Sequence, residues 1–208
     1  MPLAQSSPRR RDLLVAYVLL AVRLLVGIVF AVSATGKLRG VAAFRHFEES
    51  ARSMGVPARL SRPVAVSVVA GECAAVVLLA RGPGGAPGFA LILLMLVAFT
   101  TAIARALRSG TKASCACFGA TTAPLGRRHL VRNGVLLALA AFGLTAGLAG
   151  TPAPAEAAGV LVATFAALVG ALLVIFTDEL GTLFDDGTSG ARTGGGARRP
   201  GRVRRSVP

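Results

Sequence analysis

Apolar residues along this chain gather into five long runs, at 13–34, 63–80, 87–107, 130–149 and 157–177, with polar stretches between them. Spanning the hydrocarbon core of a bilayer takes about 17–25 such residues per helix. Only helices and closed barrels satisfy the backbone there. The runs are continuous rather than alternating, which selects helices. The run at 63–80 is the shortest, and an extra turn at either end would bring it to full length. The pattern therefore predicts an all-α fold: a polytopic transmembrane helix bundle with a four-helix core and a fifth helix. Ala and Gly are frequent in the last three runs and let backbones approach, and Gly143 and Gly147 have the spacing of a small-xxx-small contact.

A different pattern lies between the first two runs. Val41, Phe44, Phe47, Ala51 and Met54 recur at helical spacing, Arg45, His46, Glu49 and Arg52 take the other face, and Gly55 and Pro57 close the segment. This predicts a short amphipathic helix, either at the membrane surface or packed on the end of the bundle. The termini are polar. Residues 1–12 form a basic N-terminal segment, 13–177 the transmembrane domain, and 178–208 a Gly/Arg-rich tail that cannot bury a core and is predicted to be disordered. The triple arginine Arg9-Arg10-Arg11 before an apolar run, with Ala31-Val32-Ser33-Ala34 behind it, imitates a signal peptide. Arg23 interrupts that run, so it reads as a retained first helix.

Composition agrees. Mean hydropathy is +0.68, with 54% hydrophobic and 15% charged residues, against roughly a quarter charged in soluble domains. The net charge of +14 would suggest nucleic acid in a soluble protein, but with no Trp, one Tyr and no recognition motif, no nucleic-acid partner is expected. Lys and Arg in loops facing anionic lipid account for the charge.

Two charges interrupt the apolar runs at their midpoints, Arg23 in the first and Glu72 in the second. A lone charge at the bilayer centre costs at least about 2.5–3.5 kcal/mol. Matching depth on consecutive antiparallel helices predicts that Arg23 and Glu72 pair, either to fix register or to form a polar site. Cys73 points about 100° away from Glu72 around the helix and reads as a small packing residue.

The third loop carries Cys115-Ala116-Cys117-Phe118-Gly119. Two thiols and His129 fall short of the four ligands of structural zinc, so no metal is expected. Thiol redox chemistry fits better. A disulfide across one residue closes a small strained ring that is readily reduced. Lys112, Arg127, Arg128, His129 and Arg132, with the start of the fourth span, favour the thiolate. Two unreactive small residues in a turn would give the same spacing. No cofactor motif is evident, and a quinone at the Arg23/Glu72 centre has no motif behind it.

An ordered set of residues resembles the MauE/DoxX group of redox-associated membrane proteins, and most of all its methylamine-utilisation MauE branch. It comprises Arg23-Leu24-Leu25-Val26-Gly27, Ser33, Gly36-Lys37-Leu38, Phe44, Phe47, Glu72, Cys115-Ala116-Cys117-Phe118-Gly119, Pro124-Leu125-Gly126 and Arg132-Asn133, over roughly residues 20–150. The resemblance implies a four-helix membrane core and thiol–disulfide chemistry. In the MauE branch it implies support for maturation of methylamine dehydrogenase beside a thioredoxin-like partner. Cys115 and Cys117 would be the redox pair, and Arg23, Lys37, Glu72, Arg132 and Asn133 the accompanying polar set. The fifth span and the basic tail depart from the family pattern.

Orientation divides the signals. Lys and Arg number six in the first loop, six around the third and six in the tail, against three, one and none on the other side. That distribution puts the cysteine loop in the cytoplasm. The N-terminal arginines and a role in exported disulfides point the other way. Three functions are compatible with the sequence. One is a membrane thiol-redox protein exchanging with a thioredoxin-like protein or a small thiol. The others are a small transporter using Arg23 and Glu72, and an assembly scaffold.

Overall fold

The computed structural model describes residues 10–189 except 83, 110–126 and 155. Six helices follow in order: α1 Arg10–Leu38, α2 Val41–Ser53, α3 Ala58–Ala80, α4 Ala86–Arg108, α5 Arg127–Leu148 and α6 Ala157–Ser189. All but α2 are long and apolar enough to cross a membrane, as the five runs predicted. The short second run gains its extra turn at the N-terminal end, where α3 begins at Ala58 and carries Pro63 inside the helix. α6 runs on to Ser189, past the predicted end of the fifth span at 177. The remainder of the tail, 190–208, lies outside the described residues.

α1, α3, α4 and α5 form the four-helix core, each packed against the next and α5 closing back onto α1. α6 lies outside this ring, mainly against α1. Val26, Ala75, Phe89, Ile92 and Ala140 are completely buried at the centre. Large apolar side chains such as Leu94, Val131, Leu161 and Phe165 point outward, where lipid is the natural solvent.

Small residues set the closest approaches. Gly159, Ala163, Ala167 and Ala171 recur every fourth residue on α6; the three alanines are buried, and Gly159 sits against the ring of Tyr17 on α1. Gly143 on α5 lies under the Phe89 ring, and Gly147 meets the backbone of Gly84, so the predicted Gly143/Gly147 contact is made with the start of α4. Gly84 and Gly85 turn α3 into α4 with φ of +75° and +64°, a region that other residues adopt at a cost.

α2 is the predicted amphipathic helix. Phe47 and Ala51 are buried, Arg45, Glu49 and Arg52 exposed, and Gly55 ends the segment at φ +98°. It joins the C-terminal end of α1 to the start of α3, so one end of the bundle is distinct: it carries α2, the end of α4 and the start of α5.

Close packing at the glycines is testable. Gly143→Ala drives a methyl into the buried Phe89 ring and should destabilise the fold by about 1–3 kcal/mol. Gly134→Ala, whose methyl meets nothing within 4 Å, should be neutral or slightly stabilising in an unfolding titration in micelles.

Candidate polar site at the α2 end of the bundle

Polar residues are scarce in the core, and those present gather at one end. Ser33 and Lys37 come from the last turns of α1, Glu72 from α3, and His129, Arg132 and Asn133 from the first turns of α5, all buried. Ser33 and Lys37 are four residues apart and therefore share a face. Helix Cα–Cβ bonds tilt toward the N-terminus, so the Lys37 side chain reaches back along α1. Its Nζ donates to Ser33 Oγ at 2.6 Å and to Glu72 Oε1 at 2.6 Å, and it stands 4.8 Å from the centre of the Phe47 ring on α2. Ser33 Oγ in turn donates to Glu72 Oε1 at 2.9 Å. Lys37 and Glu72 are each only 3% exposed. One ammonium thus ties α1, α2 and α3 together.

The expected Arg23–Glu72 pair does not form. Arg23 Nη2 donates instead to the carbonyl of Gly82, at 3.3 Å, in the turn between α3 and α4. The reason is register. Midpoints of apolar runs are a poor measure of depth when one helix starts well before its run and the other gains a turn. In the antiparallel α1–α3 pair, Glu72 lies level with Ser33, ten residues beyond Arg23. That offset is about 15 Å along the axis. Ser33 and Lys37 at helical spacing near the end of a span were the available signal. Cys73, expected as a packing residue, is exposed on the outer side of α3.

The remaining members of the expected polar set come together. Glu72, Arg132, Asn133 and Ser33 line one cavity of about 40 Å³, together with the apolar Val29, Phe30, Leu96, Phe99 and Leu136. Such a space admits water but not an organic substrate. Glu72 Oε2 is buried without a hydrogen-bond partner among the described residues. His129, expected as one of the cationic neighbours of the cysteine pair and, with the two thiols, as too few ligands for a metal site, is buried here too, 3% exposed. Cys115 and Cys117 lie outside the described residues. The chain enters their segment from Ser109 and leaves it at Arg127, both at the end of the bundle that holds the polar cluster.

A second polar contact fastens α2 to α3. Buried Ser61 accepts from Arg52 Nε at 2.9 Å and donates to Glu48 Oε1 at 2.7 Å, and Arg52 also pairs with Glu48. The Ser61 hydrogen bond, aided by Arg52 and Arg62, lowers the Glu48 pKa below its usual value.

Five spanning helices around an apolar core with a buried ion pair define a multi-pass membrane protein of the bilayer. The family described as methylamine utilisation protein MauE matches residues 15–146, more than half of the chain, and the chain belongs to that family. No curated protein and no solved structure matches it. The matched region takes in the four core helices and α2, and ends before α6.

Removing one partner of the buried pair leaves the other uncompensated. Lys37→Met and Glu72→Leu should each cost about 3–5 kcal/mol, and the double variant much less than their sum. Arg23→Gln should cost about 1 kcal/mol or less. Unfolding titrations in micelles check all four. Because the Glu48 pKa is depressed on folding, its contribution is present above the unfolded value and is lost as pH falls through the folded one. Glu48→Gln should therefore remove that acid-side loss from the stability profile.

Proposed function

We propose that this protein is a membrane thiol–disulfide exchange protein whose working groups are Cys115 and Cys117. A thiolate of a thioredoxin-like partner or a small thiol attacks one sulfur of the Cys115–Cys117 disulfide. A mixed disulfide forms and the other cysteine leaves as a thiolate. A second partner thiolate then attacks the mixed disulfide, so the partner gains a disulfide and the pair holds the two electrons. The reverse sequence returns them. In the MauE family setting, the substrate served is methylamine dehydrogenase during maturation of its disulfides.

One observation carries this reading. The only two cysteines of the chain that are near neighbours in sequence belong to the α4–α5 connection, which re-enters the described chain at Arg127, five residues before the buried Arg132. Cationic residues there, Arg108, Lys112, Arg127 and Arg128, favour the thiolate on which exchange depends. In this reading Lys37, Glu72, Arg132 and Asn133 hold the end of the bundle that supports the connection, and are positioning residues.

Exchange with a thioredoxin-like protein or small thiol works on either face of the membrane, whereas methylamine dehydrogenase requires the exported face. In a Cys73→Ser background, an impermeant maleimide on intact cells should label Cys115 and Cys117 if the exported enzyme is served. Protection until lysis would remove that substrate and leave the cytoplasmic arrangement favoured by the loop charges.

A transporter built on the buried charges makes the opposite prediction about severity. Under the exchange reading, Cys115→Ser and Cys117→Ser should each abolish thiol exchange, and one of them should accumulate a mixed disulfide on non-reducing gels. Full activity in the double serine variant, with Glu72→Gln inactive but folded, would replace this reading with transport.

A further inference from the structure

The four core helices form a ring in which α3 and α5 stand opposite each other and do not pack together directly. The cavity of about 40 Å³ lies inside that ring, because all four helices line it: Ser33 from α1, Glu72 from α3, Leu96 from α4 and Asn133 from α5. Two polar groups in its lining have incomplete bonding. Glu72 Oε1 accepts from both Lys37 and Ser33, while Oε2 is buried without a partner among the described residues. The side-chain amide of Asn133, 5% exposed, likewise makes no hydrogen bond among the described residues.

The chemistry of the lining narrows what the cavity can hold. A buried carboxylate oxygen or amide left unbonded is costly, and an apolar guest would leave both groups in that state. A cation would meet Lys37 on the other oxygen of the same carboxylate and Arg132 in the wall. An anion would meet the carboxylate itself. A neutral molecule that both donates and accepts hydrogen bonds suits every group present. The volume limits it to the size of water, which needs at least about 10–15 Å³ and two to four polar partners.

We propose that the cavity is a binding site for one structural water, which donates a hydrogen bond to Glu72 Oε2 and accepts one from Asn133 Nδ2. Such a bridge is nearly as good as a direct hydrogen bond. It joins α3 to α5 across the ring, a link that the two helices do not make by packing. The start of α5 is thereby tied to the Lys37–Glu72 pair. The site stands whether or not the cysteines exchange thiols.

Asn133 is the single asparagine of the chain, so ¹⁵N-asparagine labelling gives one side-chain amide signal. Solid-state NMR of the full-length protein in bilayers reads magnetisation transfer from water protons to that nitrogen. Rapid transfer to Asn133 Nδ2 is expected. Leu96→Phe from α4 and Val29→Leu from α1 place further apolar atoms in the cavity. Each should abolish the transfer while the Asn133 signal persists, so one misfolded variant does not decide the matter. The double variant Lys37→Met with Glu72→Leu removes the acceptor together with its counter-charge, and should lose most of the transfer. Absence of transfer in the native sequence, transfer that survives both filling variants, or unchanged transfer in the double variant would overturn the bridge. So would a higher Tm on filling the cavity, the mark of a dry void.

Discussion

The arrangement of this bundle depends on burying a lysine and a glutamate in each other's company. Lys37 and Glu72 are each almost wholly removed from solvent, and their desolvation is offset by close, well-directed contacts. Ser33 supplies the third member, accepting from the ammonium and donating to the carboxylate. Because these groups meet at one level only, they select a single register of α1 against α3. The apolar core would tolerate several, since one Val or Leu against another in lipid distinguishes registers weakly. The Phe47 ring beside the ammonium extends the same constraint to α2. A helix that would otherwise float at the surface is held against the end of the core.

From that register the rest of the α2 end follows. With Ser33 level with Glu72, the start of α5 brings Arg132 and Asn133 to the same small cavity. The connection between α4 and α5, which contains Cys115 and Cys117, leads directly into the turns of α5 that supply Arg132 and Asn133. α6 stands apart from this design. It lies beyond the family match and packs on α1 through a ridge of Gly and Ala, so it adds to the bundle from outside the four-helix ring.

Much of the fold could be read from the residues because lipid is a simple solvent. Continuous apolar runs left helices as the answer, and the alternation of Phe44, Phe47 and Ala51 with Arg45, Glu49 and Arg52 marked α2. What the sequence did not reveal was depth. Arg23 and Glu72 look equivalent when each is counted from the ends of its own run. The true offset is set by α1 starting at Arg10, α3 starting at Ala58, and a Gly-rich turn that captures Arg23. Lys37 was visible as part of a family pattern but not as the partner of Glu72, because a lysine at the end of a span ordinarily reaches outward to the headgroups. Here Ser33, one turn back, and Glu72 across the interface draw it inward.

The chain has two lysines, Lys37 and Lys112, which makes the governing contact directly observable. Solid-state NMR of the protein in bilayers, with lysine Nζ labelled by ¹⁵N and glutamate Cδ by ¹³C, reads the dipolar coupling between them. The account predicts strong dephasing of one lysine signal, from a contact in which Nζ and Oε1 are 2.6 Å apart, and its disappearance in Lys37→Met. A spectrum in which no lysine couples to a glutamate carboxylate would contradict it.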